Sequence, residues 1–155
     1  MKKLLILLLL VFILGCSSAS GGGPTRHTTF LGVDLGMSFS EVAAILGTGT
    51  YNSAGSAVGG TILFYSYGGP KYVGFIDNVA REIATTTTGF SIEEISIGST
   101  RSFVQDKIGT TDNNSNTTTQ YNWWYEDRNI TVSVNKSSDL VVTIGIYDPD
   151  YAAPY

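Results

Sequence analysis

One twelve-residue stretch occurs twice, and it restricts the folds open to this chain more than any other feature. Gly36-Met37-Ser38-Phe39-Ser40-Glu41-Val42-Ala43-Ala44-Ile45-Leu46-Gly47 is followed, 62 residues on, by Gly98-Ser99-Thr100-Arg101-Ser102-Phe103-Val104-Gln105-Asp106-Lys107-Ile108-Gly109. Ser38 aligns with Thr100, Val42 with Val104, Leu46 with Ile108, and the flanking glycines with each other. Each copy predicts a short helix. Ser38 and Thr100 are hydroxyl N-caps able to satisfy a free first-turn amide. Val42, Ile45 and Leu46, then Val104 and Ile108, share one helical face, and Gly47 and Gly109 stand where a left-handed C-cap ends a helix. A self-match at fixed interval sets the architecture, here a tandem duplication.

The flanking segments complete each unit. Phe30 to Leu35 and Ile92 to Ile97 are short apolar leads into the helices, as strands or extended arms. Thr48 to Gly60 and Thr110 to Gln120 are small and polar and predict long loops, which are uncommon inside a compact domain. Three strands follow in the first half: Ile62 to Tyr67, Lys71 to Ile76 and Val79 to Thr86, separated by Gly68-Gly69-Pro70 and Asp77-Asn78 turns. Tyr121 to Tyr125, Ile130 to Val134 and Leu140 to Tyr147 repeat the meander. Alternation puts Ile130, Val132 and Val134 on one face, and Leu140, Val142, Ile144 and Ile146 on one face of the last strand. The opposite face, with hydroxyls and aromatics, would meet water. The expected fold is α+β: two tandem helix–loop–three-strand repeats, with an antiparallel sheet and helices packed on one face. The repeats span 30–90 and 91–155, with 30–147 one compact domain.

The first fifteen residues are read as export signal. Lys2 and Lys3 precede the eleven apolar residues Leu4 to Leu14, too few for a spanning helix of about 20. Ile13-Leu14-Gly15-Cys16 closes the run and resembles a bacterial lipoprotein signal, which implies that Cys16 is cut to the N-terminus and acylated, palmitate included. Cys16 is the one cysteine in the chain, so it has no internal disulfide partner. Residues 16–29 are Ser-, Gly- and Thr-rich and read as a flexible tether, with His27 solvated within it. Ser17 directly after the cysteine resembles an outer-membrane sorting signal, which implies the periplasmic face of that membrane. Without residues 1–15 the net charge of −4 becomes −6, which argues against nucleic acid as a partner. About 140 residues are enough for one core.

The pattern Gly-x-Ser/Thr-x-x-x-Val-x-x-x-Leu/Ile-Gly, with the aromatic strand Phe64-Tyr65-Ser66-Tyr67 and the strand through Val79 and Ile83, resembles the SmpA/OmlA (BamE) type of small lipoprotein. In tandem it is also similar to the β-lactamase-inhibitor protein (BLIP). The resemblance implies a scaffold that binds another protein through its helix-free sheet face and brings no catalytic residues. The residues themselves offer little chemistry. The sole histidine lies in the tether, and Glu93-Glu94 and Asp148-Pro149-Asp150 are acidic clusters. Two tail aspartates fall short of the six or more oxygens calcium takes. No enzyme, no cofactor, no metal and no small-molecule ligand are expected. With nine Tyr, two Trp and seven Phe, aromatics are the candidate contacts: Tyr65, Tyr67, Tyr72, Trp123, Trp124 and Tyr125. Because neighbours in a strand alternate, one of Trp123 and Trp124 should lie on the open face as an interface anchor. The expected function is a membrane-anchored protein-binding adaptor of the envelope, with a glycan- or peptidoglycan-binding module and a purely structural lipoprotein as the other readings.

Overall fold

Turns with left-handed residues set the topology. The computed structural model of the chain describes residues 23–111 and 113–152. The export signal, Cys16 and the first part of the tether lie outside the described residues. A two-residue hairpin, β1 (Thr29–Phe30) and β2 (Val33–Asp34), opens the fold, turning at Leu31 and Gly32 with φ of 57° and 79°. Helix α1 (Phe39–Leu46) follows, then β3 (Thr50–Ala57), β4 (Gly60–Tyr67), β5 (Lys71–Ile76) and β6 (Val79–Thr85). A second hairpin, β7 (Ser91–Ile92) and β8 (Ile95–Ser96), turns at Glu93 and Glu94, both at positive φ. Helix α2 (Arg101–Ile108) precedes β9 (Asn114–Asn116), β10 (Gln120–Tyr125), β11 (Ile130–Asn135) and β12 (Val141–Tyr147), and a one-turn helix α3 (Pro149–Ala152) ends the described chain.

The eight long-range strands form one antiparallel sheet in the order β3-β4-β5-β6-β12-β11-β10-β9. This corrects the expected helix–loop–three-strand units with helices layered on a sheet. The segment read as a loop from Thr48 to Gly60 holds the eight-residue edge strand β3, and the one from Thr110 to Gln120 holds β9. Serine, glycine and alanine suppressed the apolar signal there, but an edge strand with one ladder partner does not need it. Among the described residues helix is a minor component, in pieces of eight, eight and four residues.

Both duplicated stretches are helices capped as their residues require. Ser38 Oγ accepts the Glu41 amide, and Glu41 Oε2 accepts the Ser38 amide at 2.7 Å, a closed capping box. Thr100 Oγ1 accepts the Phe103 amide at 3.2 Å. Gly47 and Gly109 have φ of 89° and 82° with ψ of −164° and −167°. That is an extended, positive-φ conformation essentially restricted to glycine, and not the left-handed helical cap expected. Each helix start is tied to a distant strand or turn in the same way. The Gly36 and Phe39 amides donate to Ala80 and Asn78, and the Gly98 and Arg101 amides donate to Val141 and Asp139.

The main core lies on one face of the sheet. It joins Val73, Ile83, Ile130, Val132, Ile144 and Ile146 to the hairpin residues Phe30, Val33, Ile92 and Ile95 and the helix residues Val42, Val104 and Ile108. The helical stripe is narrower than its spacing suggested, since Ile45 is 47% exposed. In β12 the alternation slips. The register shift opposite Ser133 and Val134 pairs Val141 with Val134, burying Val141 and leaving Leu140 exposed. The tether also ends earlier than residue 29. The His27 amide donates to Arg128 O, and His27 Nε2 lies 3.2 Å from Glu93 Oε1, so this histidine is docked on the fold.

Candidate functional site

Among the described residues, neither α1 nor α2 packs on the opposite face of the sheet. Cross-strand register fixes which residues meet there, since directly opposed residues share a face. One row runs Phe64, Gly74, Glu82, Tyr147 and the next runs Ser66, Tyr72, Ala84, Gly145, Thr131, Trp124. The glycines of these rows make room for their neighbours. At Gly74 a Cβ would meet Ile62 and Phe64 side-chain atoms at 2.6 and 2.8 Å, and at Gly145 it would meet the Ile83 carbonyl oxygen at 2.3 Å.

The result is a shallow cavity of about 260 Å³, lined by Asn52, Ser53, Phe64, Tyr72, Glu82, Ala84, Thr86 and Thr143. Asn52 is the extra residue of a bulge in β3, between Tyr51 opposite Tyr65 and Ser53 opposite Phe64. Bulges redirect side chains in this way. Beside the cavity, Ala57, Ile62, Ile76 and Tyr147 form a second, small apolar cluster, on which Phe64 and Trp124 pack half-buried.

Glu82 is the charged group of this cavity. Protein surrounds its carboxyl, though the side chain keeps some solvent contact, and this desolvation pushes its pKa up to about 7. Among the described residues it makes no hydrogen bond or ion pair, and no Lys or Arg lines the cavity. Its sequence neighbour Arg81 turns away, pairing with Asp148 at 2.7 Å and stacking on the Tyr151 ring at 3.6 Å. Tyr147, across from Glu82, has its hydroxyl buried without a partner, and burial raises its pKa, with Glu126, Asp127 and Glu82 adding to the effect.

The six aromatics proposed from the sequence separate cleanly. Tyr72 and Trp124 lie on the open face. Tyr65 lies on the core face inside an aromatic group, with Phe39, Tyr51 and Phe75 at ring distances of 4.8, 5.8 and 5.8 Å. Trp123 is also on the core face, stacked on Tyr121 at 6.2 Å. Tyr67 is 0% and Tyr125 3% exposed, so neither presents a surface to a partner as built. Tyr125 instead donates its hydroxyl to Gly109 O at 3.2 Å, fixing the exit from α2. Glu82 and Phe64 were missed. A single carboxylate in an aliphatic strand carries no motif, and its isolation follows only from the β6–β12 pairing.

The acidic pairs have structural duties. Glu93 binds Arg128 at 2.6 Å and His27; burial alone would raise its pKa, but these two partners together hold it below the ordinary carboxylate value. Glu94 binds Lys107 at 2.6 Å. Asp148 holds Arg81 and accepts the Asp150 amide. Among the described residues, no three His, Cys, Asp or Glu side chains come together as metal ligands would.

No protein-family model matches the chain, and no curated protein matches it. Among solved structures, an extracellular protein containing an SCP domain from Bacillus anthracis aligns with 78% of this chain and 50% of its own, at a TM-score of 0.51 and 11% identity. A cysteine-rich secretory protein from Staphylococcus aureus aligns with 81% of this chain and 47% of its own, at a TM-score of 0.49 and 10% identity. The chain spans about half the length of these structures. These findings overturn the tandem BamE-like and BLIP-like assignment, which no family model supports. The motif behind it encodes a capped two-turn helix, a local element that many folds can hold.

Proposed function

We propose that this chain is a non-enzymatic, protein-binding module of the bacterial cell envelope or exterior, acting through the helix-free face of its sheet. The observation that carries the reading is the cavity bounded by Phe64 and Tyr72, with Trp124 half-exposed in the row beside it. Half-exposed aromatics around a preformed depression suit interface anchors, because they bury large area while losing few rotamers. The extracellular SCP-domain protein of similar fold agrees with a place at the envelope or exterior. Attachment through an acyl group on Cys16 is proposed from the Ile13-Leu14-Gly15-Cys16 sequence, and outer-membrane placement from Ser17.

Crosslinking and capture of the intact chain from its native membranes tests this reading, beside Cys16→Ala and Trp124→Ala variants. Recovery of a distinct envelope or extracellular protein that falls at least tenfold with Trp124→Ala is the expected result. Loss of membrane association with Cys16→Ala establishes the anchor separately. Retention on peptidoglycan with no protein recovered would replace the adaptor with a glycan-binding module.

A further inference from the structure

The open face holds a charge whose counter-charge the described fold does not supply. Glu82 stands in β6 near the middle of the sheet, opposite Gly74 on one side and Tyr147 on the other. It lines a cavity whose other walls are two aromatic rings, Phe64 and Tyr72, and the neutral polar side chains Asn52, Ser53, Thr86 and Thr143. A structural carboxylate at such a place would be paired, as Glu93, Glu94 and Asp148 are. Isolated buried charges are strongly unfavourable unless something compensates them.

We propose that this cavity receives the guanidinium of an arginine on the protein partner, with Glu82 as its counter-charge and Phe64 and Tyr72 as aromatic walls. The inference rests on the adaptor reading for its source and names the chemistry that the partner must present. A planar guanidinium matches three features of the lining: a carboxylate for a bidentate pair, aromatic rings for cation–π contact, and polar oxygens for the remaining N–H donors. A hard metal ion would need six or more oxygen ligands, and one carboxylate among hydroxyls and an amide does not provide them. At about 260 Å³ the cavity has room for a side-chain head group and lies below the roughly 300–1,000 Å³ of small-molecule pockets. Ala84 contributes only a methyl group to the lining, which leaves room for that group.

Charge also sets the pH dependence. The titratable groups around Glu82 are Tyr147 on β12 and Tyr72 on β5, with Arg81 on its own strand committed to Asp148. Burial keeps Glu82 protonated below about pH 7. Binding of the cation therefore strengthens as pH rises from 6 to 8.

The test is an NMR titration of the purified full chain with N-acetyl-arginine amide, beside its neutral citrulline analogue. Saturable shifts at Glu82 and Tyr72 with arginine amide, and none with citrulline amide, are expected. Glu82→Gln, which preserves volume, should weaken binding at least tenfold, and Tyr72→Ala several-fold, with Tyr72→Phe close to wild type. Equal response to both probes, or unchanged binding in Glu82→Gln, overturns the proposal; Tyr72→Ala decides it if the Gln variant misfolds. Capture of the partner by wild type and Glu82→Gln alike would overturn it and leave the adaptor reading standing. Arginine binding that needs Glu82, with no protein captured, would overturn the protein-borne source and the adaptor reading together.

Discussion

The two faces of the central sheet are made of alternate residues of the same strands, yet one is closed and the other open. On the core face, Ile83, Ile144, Ile146 and Val132 are fully buried in one cluster with side chains of the two hairpins, α1 and α2. On the other, the same strands offer Glu82, Ala84, Thr143, Gly145 and Thr131, flanked by Phe64, Tyr72 and Trp124. The difference lies in side-chain volume and charge rather than in backbone. A sheet whose stability came from both faces would fill both. Here one face supplies most of the burial, while the other has only the small cluster around Ile62 and Tyr147 and keeps a depression.

The comparison breaks if the faces carry equal stability. Ile83→Ala removes a fully buried side chain from the middle of the core face and should destabilise by about 2–5 kcal/mol. Thr143→Ala, on the open face and half-buried, should stay within about 0.5 kcal/mol. Urea unfolding of both variants decides it through the shift in midpoint. A loss above about 2 kcal/mol for Thr143→Ala would mean that the open face is a second core.

Neighbouring tryptophans give a sharper form of the same contrast. Trp123 stacks on Tyr121 against the main core, while Trp124 packs on the small cluster beside the cavity. Trp123→Ala should lower stability by about 3 kcal/mol and leave partner capture by the remaining folded protein intact. Trp124→Ala should lose less stability and most of the captured partner. Thermal melts and crosslinked yield, measured on the same preparations, separate the two effects. Equal stability losses with equal yields would erase the distinction between the faces.

Much of this contrast was legible in the sequence, but not where the open face lies functionally. The strands that pack on the core announced themselves through alternation, as Ile130, Val132 and Val134 do. The helix ends did so through Ser38, Thr100 and the paired glycines. Strand β3 was hidden because Ser53, Gly55 and Ser56 lack the apolar side chains that mark a strand, and their ladder bonds to β4 leave no trace in composition. The aromatic candidates scattered over both faces because face membership depends on register, and bulges at Asn52, near Gly74 and at β12 shift it. Glu82 became visible only when β6 met β12.

The two faces should also answer pH in opposite directions. Glu82 has its folded-state pKa raised from 4.5 to about 7. Between those values the native state holds a proton that the unfolded chain has lost, so stability falls as pH rises through that window and levels off above it. The span is at most about 3 kcal/mol, and partial solvent contact makes about 2 kcal/mol the better expectation. Glu93, on the β7–β8 turn, has its pKa lowered through Arg128 and His27. Its contribution is present above the ordinary carboxylate value and is lost as pH falls below it. Denaturation midpoints from pH 3 to 8 should rise and then decline, and Glu82→Gln should flatten the decline alone. A decline that survives Glu82→Gln would assign it to another group.

The smallest effect concerns how the core face is covered. Helix α1 buries only Val42, whereas α2 buries Val104 and Ile108, so α1 leans more on its ends than on its packing. Its capping box supplies two reciprocal bonds where α2 has a single cap bond from Thr100. Ser38→Ala removes the side-chain acceptor and leaves Glu41 without its hydroxyl donor, and Thr100→Ala removes one acceptor. Loss of such caps costs about 1 kcal/mol. Ser38→Ala should therefore lower the unfolding midpoint slightly more than Thr100→Ala, and amide exchange should quicken in α1 before β5 or β6. If Thr100→Ala proves the more damaging, α2 with its extra buried Ile108 is the helix whose docking depends on its cap. The core face would then be held more firmly at the β3–β6 end than at the β9–β12 end.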